Sequence, residues 1–216
     1  YEIASCLVGS EMCIRDSVLT GFKFIGEQIG LLEAKGEGKR YIWGFEESYG
    51  YLSGSYVRDK DAVDASMLIC EMAAYYRTQG ITLLQARENM YKKYGFFYQT
   101  LYSFTFEGAS GMKKMADIME NLRNAHPTEI AGLKVIRFDD YKLSTSKNVV
   151  TGEVTELTLP KSNVLAFFLE GGSKVIVRPS GTEPKVKAYI TSKQDTREEA
   201  EAIEQKIYAD FSKNME

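Results

Sequence analysis

The sequence predicts an α/β portion followed by a compact α+β C-terminal domain, with the change of character near Gly95 to Phe97. Two patterns predict this. Before that point, helical apolar spacings flank a short apolar run; after it, strand-like alternation dominates, with one helix near its start and one at its end. The length agrees, since 216 residues suit one large domain or two small ones and can bury a real core.

Taken in order, Phe22, Ile25, Ile29 and Leu32 recur at helical spacing. Tyr41-Ile42-Trp43 reads as a buried strand that stops at Gly44 and enters a loop. A long helix is expected from about Asp61 to Gln79, with Val63, Met67, Ile69, Cys70, Ala73 and Ala74 as apolar positions and Gly80 as its C′ residue. Thr82 and Gln85 form a capping box for a second helix that ends at Gly95. Tyr98, Thr100, Tyr102, Phe104 and Phe106 then alternate with Gln99, Leu101, Ser103 and Thr105, as in a strand. Met112, Met115, Ile118, Met119 and Leu122 make a helical stripe. Strands are expected over 133–138, 153–159, 164–169, 174–177 and 185–191, with Gly171-Gly172 as a hairpin turn. The last helix opens on a Thr196–Glu199 capping box and buries Ala200, Ile203, Ile207 and Phe211.

Composition narrows the function. Hydrophobic residues make up 44%, charged residues 26%, and the formal net charge is −3, the balance of a soluble globular protein. A slightly acidic chain is no generic polyanion binder, so no nucleic-acid partner is expected, and any phosphate must be held by a few placed groups. No apolar run approaches the ~18–20 residues that span a bilayer, and no signal peptide is seen, so no membrane partner is expected. Cys6, Cys13 and Cys70 are odd in number and lack metal-ligand spacing; Cys70 reads as a small core residue, and a reducing cytoplasm is the expected location. His126 is the only histidine, which argues against a histidine-rich metal site or a Ser-His-Asp triad within this chain. Ser5 to Ser17 has no clean helical or strand period. It resembles translated sequencing-adapter DNA joined to a truncated gene, so residues 1–17 are expected to be non-native and are given no function.

Two short runs carry chemistry. Arg178-Pro179-Ser180-Gly181-Thr182-Glu183-Pro184-Lys185 joins two expected strands. Arg178 can present a planar fork to two phosphate oxygens, Ser180 and Thr182 supply hydroxyl donors, and Gly181 lets its N–H approach closely. The flanking prolines restrict the loop in advance. On these residues alone, a tight hairpin turn accounts for the run equally well. The second run is Gly44-Phe45-Glu46-Glu47-Ser48-Tyr49-Gly50. A carboxylate can accept two vicinal sugar hydroxyls and a serine can donate or accept, but an acidic surface loop is the simpler account of the residues by themselves.

Both runs resemble segments of the α-D-phosphohexomutase family, and the likeness extends from about Val18 to the C-terminus. RPSGTEPKVKAYI is similar to the phosphate-binding loop of that family's fourth domain, which implies phosphate contacts from Arg178, Ser180, Gly181 and Thr182. GFEES resembles the sugar-specificity loop of its third domain, which implies sugar contacts from Glu46 and Ser48, with Glu47 the weaker of the glutamates. The double glutamate looks more like the phosphoglucomutase-like branch than the phosphomannomutase branch. Val18-Leu19-Thr20-Gly21-Phe22-Lys23-Phe24 resembles the TGxK segment, which implies substrate contacts from Thr20 and Gly21. Arg58-Asp59-Lys60-Asp61 resembles the segment that supplies an active-site lysine, which implies a ligand and proton-transfer role for Lys60. As an acid or base near neutrality Lys60 would need a lowered pKa, through burial or a cation such as Arg58. Asp61 as a simple helix cap, with Lys60 solvated, is the alternative.

The resemblance implies that residues 18–96 are a partial third domain with the sugar-binding loop and residues 97–216 a fourth domain with the phosphate-binding loop. The family's phosphoserine motif (TASHNP-like) and magnesium motif (DxDxDR-like) are absent from this sequence. Asp59-Lys60-Asp61 and Asp139-Asp140 lack the three-aspartate spacing. The implied parent interconverts glucose 1-phosphate and glucose 6-phosphate through a phosphoserine enzyme and glucose 1,6-bisphosphate, with magnesium. Its expected partners are the phosphosugar and the N-terminal domains of the same parent chain. A phosphopentomutase or phosphomannomutase, or a non-catalytic sugar-phosphate-binding protein, are the alternatives.

Overall fold

A computed structural model describes residues 4–8, 14–19, 21–46, 50–108, 110–181 and 183–215. The chain forms two compact units, Tyr1–Arg87 and Glu88–Glu216.

The first unit holds an antiparallel sheet in the order β2-β1-β3-β4, built from β1 (Ala4–Val8), β2 (Ile14–Val18), β3 (Tyr41–Glu46) and β4 (Gly50–Leu52). β1 and β2 occupy a stretch whose sequence shows no period. β1 bonds to β2 on one side and β3 on the other, and such pairing is made by backbone groups whatever the side-chain pattern. Helix α1 (Phe22–Ala34) buries Phe22, Ile25 and Ile29 in one cluster with Val18, Tyr41 and Leu52. β3 does not stop at Gly44: it runs on to Glu46, because Gly44 pairs with Leu52 and Glu46 with Gly50. Nor is β3 wholly buried, since Ile42 is 46% exposed.

The segment after β4 is pinned at its far end. Asp64 accepts from the Ser53 N–H at 3.0 Å and the Ser53 hydroxyl at 2.7 Å, and the Tyr51 hydroxyl donates to the Ala65 carbonyl at 2.7 Å. Asp61 caps α2 (Ala62–Thr78), accepting from the N–H groups of Val63 and Asp64 at 2.8 and 3.2 Å. Neither α2 nor α3 (Leu83–Tyr94) buries a residue among those described, and Cys70 is exposed rather than in a core. Spacing predicted an apolar helix correctly, but it carries no information about which neighbour covers that face. The Thr82–Gln85 box is reciprocal, with Thr82 N–H donating to Gln85 at 2.8 Å and Gln85 N–H to the Thr82 hydroxyl at 3.2 Å.

Among the described residues, the second unit holds the end of α3, an eight-stranded antiparallel sheet and two further α-helices. The strands are β5 (Phe96–Thr105), β6 (Glu129–Ile130), β7 (Leu133–Asp140), β8 (Thr145–Asn148), β9 (Val154–Glu156), β10 (Leu165–Leu169), β11 (Lys174–Pro179) and β12 (Lys185–Gln194). Their order is β5-β12-β11-β10-β7-β8-β9, with β6 on β7. Helices α4 (Gly111–Asn124) and α5 (Arg197–Phe211) belong to this unit's single core cluster, which joins Met115, Met119, Phe167, Val177, Ile190 and Phe211. Met112 points away, half exposed. Gly171 and Gly172, both at positive φ, belong to a longer connection in which the Leu169 N–H donates to the Ser173 carbonyl at 2.8 Å. α4 is tied to β7 by the buried Arg123–Asp140 pair at 2.8 Å. Among the described residues no helix is long and apolar enough to cross a membrane.

Candidate functional site

In the first unit, three residues far apart in sequence converge. β3 ends on Glu46, α1 begins just after Gly21, and Lys60 immediately precedes the cap of α2. Glu46 is 8% exposed, so its carboxylate must find partners inside the protein. Oε1 accepts the Gly21 N–H at 2.7 Å and Oε2 accepts the Lys60 Nζ at 3.0 Å. Gly21 sits at φ +123°, a conformation that L side chains rarely adopt, and that backbone turn aims its N–H at the carboxylate. The free N–H groups and dipole of the α1 N-terminus favour a negative charge there.

The Lys60 ammonium also lies 3.1 Å from Asp59 Oδ1 and 5.1 Å from the Phe22 ring centre. Burial pushes the Lys60 pKa down, but hydrogen bonds to Glu46 and Asp59 outweigh it and leave it above the ordinary lysine value. Asp59 is held below the usual carboxylate range by the Lys60 backbone N–H and then by its ammonium. Arg58 pairs instead with Glu33 at 2.5 Å and the Ser55 carbonyl, so its guanidinium is engaged away from Lys60. In this arrangement Lys60 is a standing cation at neutral pH. A cleft of about 560 Å³ lined by Val57 to Ala62 opens beside it. Thr20, Glu47 and Ser48 lie outside the described residues.

In the second unit, β11 and β12 form the hairpin that carries Arg178 to Lys185. The Ser180 N–H donates to the Lys185 carbonyl at 2.8 Å, the Glu183 N–H to the Ser180 hydroxyl at 3.3 Å, and the Lys185 N–H to the Glu183 carbonyl at 2.7 Å. The Pro184 carbonyl accepts the Phe106 N–H at 2.8 Å, which ties the loop to the end of β5. Gly181 is exposed at the tip, and a side chain built there would meet nothing within 4 Å, so its backbone is open to solvent. Thr182 lies outside the described residues.

One cation was missed from the sequence. Lys187 stands directly opposite Arg178 in the β11–β12 register, with Lys185 two residues along the same strand face. Like charges opposite each other disfavour the hairpin, and Glu183 offsets part of this by pairing with Lys185 and attracting Lys187. Only the register shows this, and the sequence does not state the register.

The described residues do not fit magnesium. No group of three or more metal-ligating side chains occurs among the described residues. Asp140 is occupied by Arg123, and Asp139 accepts from Ser146 at 2.5 Å and pairs with Arg137 at 3.3 Å.

The fold is thus an α/β unit followed by an antiparallel α+β unit. Family profiles match both parts: phosphoglucomutase/phosphomannomutase alpha/beta/alpha domain III over residues 14–94, and the phosphoglucomutase/phosphomannomutase C-terminal domain over residues 111–209. The chain belongs to the phosphoglucomutase/phosphomannomutase family. It is 43% identical over 176 residues to a phosphoglucomutase of Staphylococcus aureus (strain bovine RF122), covering 82% of this chain and 31% of that protein. It is 40% identical over 174 residues to one of Staphylococcus epidermidis, covering 81% and 31%. A phosphoglucomutase of Staphylococcus saprophyticus matches at 36% over 214 residues, covering 99% and 38%. The chain therefore spans about a third of the length of these relatives. In fold it is similar to the open form of the exocytosis-sensitive phosphoprotein pp63/parafusin, a phosphoglucomutase from Paramecium, with a TM-score of 0.60 at 20% identity over 91% of this chain and 32% of that one.

Proposed function

We propose that this chain is the sugar- and phosphate-reading part of a phosphoglucomutase that interconverts glucose 1-phosphate and glucose 6-phosphate. The observation that carries this is the convergence of Gly21, Glu46 and Lys60, which lie 25 and 14 positions from one another in sequence along the Glu46 bonds. A carboxylate offers about four acceptor sites. Two are used here, by Gly21 and Lys60, which orient the group, and in this reading the others accept sugar hydroxyls. Ser48 and Thr20 complete the sugar contacts in this reading. In the second unit, Arg178, Ser180, Gly181 and Thr182 hold the phosphate that is not being transferred.

The parent reaction balances without loss of phosphate. A phosphoserine elsewhere in the parent gives its phosphoryl group to the C6 hydroxyl of glucose 1-phosphate, whose proton passes to the serine oxygen or solvent, yielding glucose 1,6-bisphosphate and free serine. After the intermediate turns over, the serine recovers a phosphoryl group from C1 and glucose 6-phosphate leaves. Such transfer depends chiefly on positioning and charge stabilisation, and positioning is what these residues supply. Lys60 enters this scheme as a charged hydrogen-bond donor; a proton-transfer role requires substrate hydroxyls to displace its carboxylate partners first. The phosphoserine and a magnesium ion belong to other parts of the parent, so this chain by itself performs no turnover.

The test is Glu46→Gln in a full-length mutase carrying this chain. The amide keeps the shape and loses the charge, and hydrogen bonds to charged groups contribute about 1.5–3 kcal/mol. A roughly 10- to 100-fold fall in kcat/KM for glucose 1-phosphate is expected, with a loss of stability limited to about 1 kcal/mol from the broken Lys60 pair. A large drop in Tm with unchanged efficiency makes Glu46 structural and ends this reading. Mannose and ribose 1-phosphates in the same assay separate the glucose assignment from a phosphomannomutase or phosphopentomutase.

A further inference from the structure

Lys60 reaches Glu46 by passing over the backbone of β4. Gly50 is the partner of Glu46 in the β3–β4 register, and the lysine stem lies against its α-carbon. A Cβ built on Gly50 would lie 2.8 Å from Lys60 Cβ and 2.6 Å from Lys60 Cγ, and closer still to Cδ. These distances are below any a real Cβ tolerates. Two features make the contact hard to relieve. Lys60 Cβ is the root of the side chain, so swinging the far end aside does not clear it. The Asp61 N–H, next in sequence, donates to the Tyr51 carbonyl at 3.1 Å, which fixes this stretch of backbone beside β4. The glycine is not there for its conformational freedom, since Gly50 is not among the glycines at positive φ.

We infer that Gly50 is a positioning residue: its missing side chain is the groove through which Lys60 reaches Glu46, with Asp59 holding the ammonium from the other side. The specific consequence is that any residue larger than glycine at position 50 uncouples Lys60 from Glu46 without touching either carboxylate. The importance of this for sugar-phosphate handling rests on the function proposed above; the positioning itself does not.

The experiment compares Lys60 and Lys142 in the 216-residue chain by limited acetylation with peptide mass spectrometry. Lys142 is an internal reference because its side chain is 55% exposed, against 33% for Lys60. In the parent sequence Lys60 should react severalfold more slowly than Lys142. Gly50→Ala should bring the two rates together while Tm changes modestly, and an unchanged Lys60 rate in the folded variant overturns the inference. A double-mutant cycle with Lys60→Gly, which removes the whole stem, guards against a purely structural role. If Gly50→Ala lowers Tm or prevents folding in the Lys60 background but is harmless beside Lys60→Gly, the groove is for the lysine. If it is equally damaging in both, Gly50 serves something else and the inference fails. Titration of the full-length enzyme with glucose 1-phosphate separates the two layers: released Lys60 with unchanged affinity leaves the positioning role standing and removes the sugar-phosphate reading of Lys60.

Discussion

Glu46 shows how one buried charge organises its surroundings. A carboxylate that is 5% exposed cannot be left to water, and the fold supplies a helix-start N–H on one oxygen and an ammonium on the other. The ammonium in turn is bracketed by Asp59. Because Lys60 is raised above its ordinary value of 10.5, its contribution to stability is fully present below that pH and is lost as pH rises through the higher folded value. Replacing Lys60 by Met leaves Glu46 with Gly21 alone. A third of the Lys60 side chain reaches solvent, so the expected cost is about 1 kcal/mol, the low end for an unpaired buried group. The Tm difference between the parent chain and Lys60→Met should therefore be flat from pH 7 to 10 and shrink above it. A difference that grows with alkaline pH contradicts the pairing.

Among elements, helix starts were the most legible, because capping depends on residues three apart. Asp61, Thr82 and Thr196 all cap where the sequence placed them, the last by accepting the Glu199 N–H at 3.3 Å. Short polar strands were not legible. β8 reads Thr-Ser-Lys-Asn and β6 has two residues, so neither shows a period, and both exist through pairing with β7. Glycine usually punctuates a strand, which predicts a stop at Gly44, yet pairing with β4 carries the strand through to Glu46. The β6–β7 turn holds a local conflict: Ala131 adopts φ +56° beside Gly132 at φ +80°, with its N–H donating to Asp210 at 2.7 Å. An L residue in that conformation costs roughly 1–2 kcal/mol. Ala131→Gly keeps the N–H donor and should raise stability by about 0.5–1 kcal/mol after the added chain entropy of glycine. Urea denaturation measures it, and a loss of stability would show that the Ala131 methyl contributes packing that outweighs the turn.

For the molecule as a whole, the division into an α/β and an α+β part was legible from periodicity, and the β11–β12 hairpin from the two expected strands that Arg178 to Lys185 joins. The pairing of Glu46 with Lys60, the groove at Gly50 and the Lys187 opposite Arg178 were not, because each depends on register or on a loop path that no spacing encodes. The central claim is that one unit reads the sugar and the other grips phosphate, and Arg178 tests it most directly. The measurement is calorimetric titration of glucose 1-phosphate into a full-length mutase carrying this chain and into its Arg178→Ala variant, with circular dichroism as the folding control. Loss of a charge-assisted fork worth about 1.5–3 kcal/mol predicts affinity roughly 10- to 100-fold weaker in an equally folded protein, with Arg178→Lys recovering only part. Equal affinity in the two folded proteins would reduce Arg178 to Lys185 to a hairpin turn and contradict the account.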